Sequence, residues 1–593
     1  MPRIPKKRDG LSAGERVRIY EAEQAERLRR MSLDEDVDID AKTDISKASV
    51  KKSAGDQEQV KAAVAIEKKM LPKPQHATVK VDFSISTGEI GKMHGMCNGP
   101  ASYGADISNL FREIGVPQVR FDGTDGAISS YAVDVSRIFK DINADPNDPE
   151  SYDFSYTDKY VTAAYNSGAR VIYRLGESRD LLDSGKKINL PENTDLWINV
   201  CANVIRHYND YFANGYAFGI EYFEIWSHDY SDNVDKNLEF EFYRRVASTI
   251  KIIDGGIKVG GMDFDGFDDA ARDFVKYCKR NRVPLDFITF RSFDGDPLHV
   301  SETMSQANSY IKNHGLDSVE LILGKWCYID AETVGECGSE SHLGASMGNA
   351  EAVGVRGSES HLGASMGNAE AVGECGFKAL LAPSAENAEV RKRLFESQAS
   401  IKGAAYAAAV MLELNSRGEV AKACFYDAQP IVSPFTAICD RFGTPQKPFY
   451  AFKAYGELYR AGNAGGANAG IYAGAGKVGV VSAENAGRAR GANAGHAVLC
   501  ESVQDAGYAH TGIYAGAAMA QNGECYVMIA SYKGCGVVDL RLDSIPDNLY
   551  TAEIYLLDGV KDLTLGDSVP LSGAKKRLVL NVSEYGVVLV RLY

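Results

Sequence analysis

The stretch Gly219–Tyr230, GIEYFEIWSHDY, decides how this chain is read. From Tyr222 to Ser227 bulky apolar residues alternate with polar ones, the period-two pattern of a strand. The stretch then runs into polar residues at His228 and Asp229. A strand that ends in polar side chains is the kind of element that carries functional groups to a rim. Its meaning depends on what the chain places on either side.

Working outward, apolar runs of strand length recur at Lys92–Met96, Gln118–Asp122, Arg170–Leu175, Ile257–Met262, Asp286–Phe293, Val319–Trp326 and Val420–Tyr426. Amphipathic segments of helix length lie between most of them: Ile107–Ile114, Thr157–Asn166, Leu196–Tyr211, Asn237–Ile253, Asp268–Arg280, Glu302–Asn313 and Ala388–Leu414. This alternation predicts an α/β fold, a closed parallel (β/α)8 TIM barrel over residues 91–460. Chemistry in such barrels sits at the C-terminal ends of the strands. By period two, Glu224 shares a strand face with Trp226 and His228 but lies deeper in the barrel.

Beyond residue 523 the strand-like runs Tyr526–Tyr532, Val537–Leu542, Thr551–Leu557, Arg577–Val582 and Gly586–Leu592 follow at short intervals, as in a β-sandwich. Thr78–Ile85 alternates in the same way, so residues 78–90 are expected to join that accessory domain and the barrel to be inserted between its parts. Two biased segments interrupt the pattern. The sequence GSESHLGASMGNAEAVG occurs at Gly338–Gly354 and again at Gly357–Gly373, a tandem insert within 335–376 that carries Glu340 and His342, repeated as Glu359 and His361. Residues 461–522 are rich in Gly, Ala and Asn; both segments read as expansions into surface loops, with a lid or an interaction loop as the functional alternative.

Residues 1–77 differ in texture. Ser12 and Glu15 have the spacing of a capping box, yet the apolar stripe behind them is thin. The extension reads as disordered or loosely helical, with docking to a protein partner as its functional alternative. A formal net charge of −15 argues against nucleic acid or an anionic membrane as partner. MPRIPKKRDG lacks the apolar core of a signal peptide, and no run of 18 apolar residues occurs. The 11 cysteines show no CxxC spacing and the 10 histidines no HxH or HExxH pattern. A cytoplasmic protein with no metal and no cofactor is the expectation.

Several blocks together resemble glycoside hydrolase family 39, the β-xylosidase and iduronidase-like family. Tyr173–Ser178 (YRLGES) is similar to its third-strand motif. Ile205–Asn209 (IRHYN), Ala213–Gly215 (ANG) and Tyr222–Trp226 (YFEIW) are similar to the approach to its acid/base. Phe425–Pro430 (FYDAQP) and Lys447–Phe452 (KPFYAF) are similar to its eighth strand and last helix. The resemblance implies retaining hydrolysis by two carboxyl groups, one at the end of the fourth barrel strand and one at the end of the seventh. His228 and Lys325 stand at those positions. Histidine can serve as a general acid near neutral pH, but an ammonium would repel an oxocarbenium-like centre. The resemblance further places Arg120, Asp122, Glu177, Trp226, Ser227, Arg291 and Trp326 around the substrate, with Ser227 where the family has Asn and Arg291 where it tends to have His.

A catalytically impaired glycosidase relative with a carbohydrate-binding or structural role follows. Cationic His228, Lys325 and Arg291 would suit an acidic sugar, or pair with local carboxylates such as Asp229, Asp232 or Asp122. The alternative is an active retaining, xylosidase-like enzyme that uses displaced carboxylates, of which Glu177 is the best placed.

Overall fold

The computed structural model describes residues 76–102, 104–121, 133–177, 190–226, 235–329, 388–431, 433, 435–463, 496–503, 512–534, 536–571 and 575–593. Residues 1–75 of the N-terminal extension and the tandem insert lie outside them, as do Asp122, Ser227, His228, Asp229 and Asp232, whereas His76 and Ala77 already belong to a strand. No helix among the described residues is long and apolar enough to cross a membrane.

Eight strands close into the expected barrel: β2 (Lys92–Cys97), β3 (Gln118–Phe121), β4 (Arg170–Leu175), β5 (Tyr222–Ile225), β6 (Lys258–Asp265), β7 (Phe287–Asp294), β8 (Glu320–Tyr328) and β9 (Val420–Phe425). Every neighbouring pair is parallel, and β9 returns to β2. Their runs of Val, Ile, Leu and Phe are buried on both faces, which is why they read as short apolar blocks.

The helices between them are α1 (Ser108–Ile114), α2 (Val135–Ile138), α3 (Ser155–Asn166), α4 (Thr194–Asn209), α5 (Lys236–Ile253), α6 (Asp269–Asn281), α7 (Pro297–Asn313), α8 (Ala388–Ala399), α9 (Ile401–Arg417) and α10 (Lys447–Asn463). Helix α7 begins at Pro297, earlier than expected, with Asp296 accepting from the backbone N–H of Leu298 as its cap. The single helix expected over Ala388–Leu414 is two. Ser400 is extended and its hydroxyl accepts from the N–H of Lys402, so a fresh N-cap interrupts the run.

The accessory domain is one nine-stranded sheet, ordered β15-β14-β17-β12-β11-β10-β1-β13-β16. It comprises β1 (His76–Ser86), β10 (His496–Val503), β11 (Ile513–Met519), β12 (Cys525–Tyr532), β13 (Gly536–Asp543), β14 (Thr551–Leu557), β15 (Asp562–Pro570), β16 (Lys576–Val582) and β17 (Tyr585–Leu592). All pairs are antiparallel except β1 with β13. Strands β10 and β11 fall inside the Gly/Ala-rich stretch and correct its reading as loop throughout. The small residues there serve packing. A Cβ on Gly516 would lie 3.0 Å from a Leu412 methyl on α9 and 3.5 Å from Leu458 on α10, so the bare backbone lets the sheet lie on those helices. On the same side, the Tyr532 hydroxyl donates to the carbonyl of Gly295 at 2.5 Å.

The N-terminal end of the barrel is closed by charge. Glu320, at the start of β8, accepts from Lys422 at 2.8 Å, from the Tyr222 hydroxyl at 2.8 Å, and from Lys258. Burial pushes this carboxyl up, but the hydrogen bonds from Lys258 and Lys422 outweigh it and hold the group at about 2.

Candidate active site

At the other end, the barrel floor is organised by Arg120 from β3, whose side chain is fully buried. Its Nε donates to Glu224 Oε2 at 2.6 Å and its Nη2 to Oε1 at 2.8 Å, a bidentate pair. Nη2 also lies 3.1 Å from Asp263 Oδ1, and Nη1 donates to the carbonyl of Gly324 at 3.3 Å. Any side chain at 324 would meet this guanidinium: a Cβ there stands 3.0 Å from Nε. The Thr289 hydroxyl donates to Glu224 at 2.7 Å and accepts the N–H of Asp263 at 2.8 Å. Burial raises the Glu224 carboxyl and the charge of Asp263 adds to this, while Arg120 and Thr289 pull it down. Arg120 is thus sealed beneath the site, where a ligand contact had been the expectation.

Above this floor, Arg291 on β7 and Lys325 on β8 are register partners, brought level by an irregularity between Phe290 and Arg291. Both are about nine-tenths buried and both turn to Asp263. Arg291 Nη1 is 3.7 Å and Lys325 Nζ 3.9 Å from Asp263 Oδ2, and Arg291 Nε is 3.9 Å from Asp265 Oδ1. The Lys325 ammonium also sits 5.1 Å from the centre of the Tyr426 ring. The sequence reading named other carboxylates as partners and missed Asp263. The signal was the polar Asp263 within the otherwise apolar end of VGGMDF, the fifth barrel strand. Its backbone lies in the left-handed region at φ 54°, which Asp tolerates better than most residues.

Glu177 follows β4. One of its carboxylate oxygens accepts from the N–H of Ser136 at 2.9 Å and the other from the Ser136 hydroxyl, in the first turn of α2. Arg174 ties the corner together, donating to the Glu177 carbonyl at 3.0 Å and to Asp134 at 2.9 Å. Burial, with the neighbouring charge of Asp134, pushes the Glu177 carboxyl up to about 7.

The two tryptophans depart from the expected placement. Trp226 is 3% exposed and its backbone is left-handed, φ 62°, which breaks the strand alternation one step past β5. Its ring consequently faces the helical layer, edge-on to Trp197 of α4 at 5.9 Å and Phe242 of α5 at 5.3 Å. It does not share the face of Glu224. Trp326 is fully buried and packs edge-on to Phe425 at 5.1 Å, with Phe452 of α10 and Tyr406 of α9 beyond. Neither ring is a surface for stacking a sugar.

The family model for glycosyl hydrolases family 39 matches residues 96–323, ending just before Lys325. A β-xylosidase from Geobacillus stearothermophilus is 24% identical over 166 residues, which are 25% of this chain and 32% of that protein. The chain thus spans about a third of the length of this curated relative. Among solved structures, a glucosidase from Croceicoccus marinus superposes with a TM-score of 0.60 at 17% identity, covering 88% of this chain and 99% of that one. The family 39 enzyme from Xanthomonas axonopodis pv. citri gives 0.55 at 12% identity, covering 88% and 98%. At these identities the structural likeness speaks for the fold.

Proposed function

Since the chain is a glycoside hydrolase family 39-like protein, we propose that it is a catalytically impaired relative that holds a carbohydrate at the C-terminal end of the barrel without cleaving it by the two-carboxylate route. The setting of Lys325 supports this most. Double-displacement hydrolysis needs a carboxylate that attacks the anomeric carbon, about 5–5.5 Å from the carboxyl group that protonates the leaving oxygen. At the position the resemblance gives to that nucleophile stands an ammonium, held near Asp263 and the face of Tyr426. Asp263 is fully buried and engaged with Arg120, so it is a poor substitute. With Arg291 beside Lys325, a ligand with its own carboxylate, such as an acidic sugar, is the class this rim suits.

The test is turnover of a panel of aryl glycosides. The natural chain is expected to give none, and the paired substitutions His228→Glu and Lys325→Glu to restore measurable hydrolysis. A second reading, residual hydrolysis with Glu177 as a displaced acid, is favoured by one observation: a carboxyl held at about 7 is half protonated at neutral pH, as a general acid should be. Turnover by the natural chain that Glu177→Gln abolishes would establish that reading and overturn the first. Binding is measured separately, with uronic-acid glycans expected to lose affinity in Arg291→Met.

A further inference from the structure

The N-terminal end of the barrel, away from the site above, contains a cavity of about 240 Å³. Lys92, Arg170, Lys422 and Tyr222 line it with Gln118, and Tyr165 and Phe218 stand beside them with ring centres 4.1 Å apart, nearly parallel. The strand registers explain the gathering of charge. Lys92 and Lys422 are direct partners across β2 and β9, and Gln118 and Arg170 across β3 and β4. Like charges at paired positions of adjacent strands are unfavourable unless something lies between them. Glu320 answers only one of the pair, Lys422. Lys92 and Arg170 make no ion pair among the described residues, and Glu221 is the acidic residue in the lining. Partial desolvation in the cavity wall and the charge of Lys422 lower the Lys92 ammonium, against the opposite pull of Glu89, Glu221 and Glu320.

Gln118, also in the lining, is fixed by the backbone. Its amide nitrogen donates to the carbonyls of Lys92 at 3.0 Å and Ala423 at 3.1 Å, which fixes the orientation of the amide. Oε1 of this 1% exposed residue is then left with no hydrogen-bond partner. A buried acceptor without a donor costs roughly 1–3 kcal/mol.

We propose that this cavity binds a small oxyanion, free or as the anionic group of a small organic molecule, between Lys92 and Arg170. The site is one of binding and is independent of the hydrolytic question, since it lies at the opposite end of the strands. Tyr165 and Phe218 offer a flat apolar wall to an organic ligand and nothing to an inorganic one, which separates the two sources.

Titration calorimetry of the full chain with inorganic phosphate and with benzoate, at ionic strength fixed by chloride, tests this. Saturable binding of at least one probe is expected, weakened about tenfold or more in Lys92→Gln with Arg170→Gln. Both side chains are exposed, so the fold survives their replacement. Lys140→Gln with Lys575→Gln, removing two surface ammoniums paired with Asp153 and Asp543, is the charge-matched control and should bind as the natural chain does. Benzoate binding that also falls in Tyr165→Ala assigns an organic ligand, and phosphate binding indifferent to Tyr165→Ala an inorganic one. Saturable binding of neither probe, or equal binding by the double variant, overturns the proposal.

Discussion

The two ends of the barrel are built from the same materials to different tolerances. At the N-terminal end one carboxylate, Glu320, is gripped by two lysines and a tyrosine at hydrogen-bonding distance. At the C-terminal end one carboxylate, Asp263, has Arg120 at 3.1 Å but Arg291 and Lys325 only at 3.7 and 3.9 Å. Close pairing is what a structural clasp needs. At the longer separation Arg291 and Lys325 are drawn to Asp263 by charge rather than by a direct hydrogen bond. The lesson is that counting cations and carboxylates does not separate the two ends, whereas the distance to the shared carboxylate does.

The severest way to break the contrast is Arg120→Met, which strands Glu224 and Asp263 as buried charges. A loss of about 3–5 kcal/mol by urea denaturation is expected. Glu320→Gln should cost less, on the order of 2 kcal/mol near neutral pH, because its clasp is partly solvated. Its pH signature is sharper. A carboxyl held at about 2 contributes stability that is complete above about 4.5 and is lost as pH falls toward 2. The variant should lack that acid-side loss.

Glu177→Gln should move stability in the opposite sense and by less. A carboxyl raised to about 7 is penalised once ionised, so the natural chain loses stability as pH rises from about 4.5 through 7. The variant should be flat across that window, followed by thermal melting at each pH. The smallest effect is expected for Lys325→Met, under about 1 kcal/mol, since the desolvation cost of a buried ammonium offsets its attraction to Asp263, which keeps Arg120. A loss there as large as that of Glu320→Gln would erase the distinction between the two ends.

How much of this was legible beforehand varied with the physics involved. The barrel strands announced themselves because burial on both faces forces compact apolar runs, and the positions of Lys325 and Arg291 near strand ends followed. The orientation of Trp226 did not, because a single residue with positive φ reverses a period-two argument and leaves no mark in composition. Asp263 was hidden for a related reason: its importance comes from three strands converging on it, which only the closed barrel creates. Gly516 shows the converse error. Residues too small to signal a core were read as loop, although smallness is what lets β11 sit against α9 and α10.

The place of β1 carries a consequence for biosynthesis. This strand, residues 76–86, lies inside its sheet, between β10 and β13, whose residues are made more than 400 positions later. A nascent chain emerging at about 5–20 residues per second therefore carries β1 with both edges unpaired while the entire barrel is translated. Unpaired strand edges invite pairing with other chains. The barrel can close as soon as β9 appears, but the accessory sheet can only be completed around its oldest strand after synthesis has nearly ended. Any interruption of translation before β10 would leave that strand as an open template on an otherwise folded molecule.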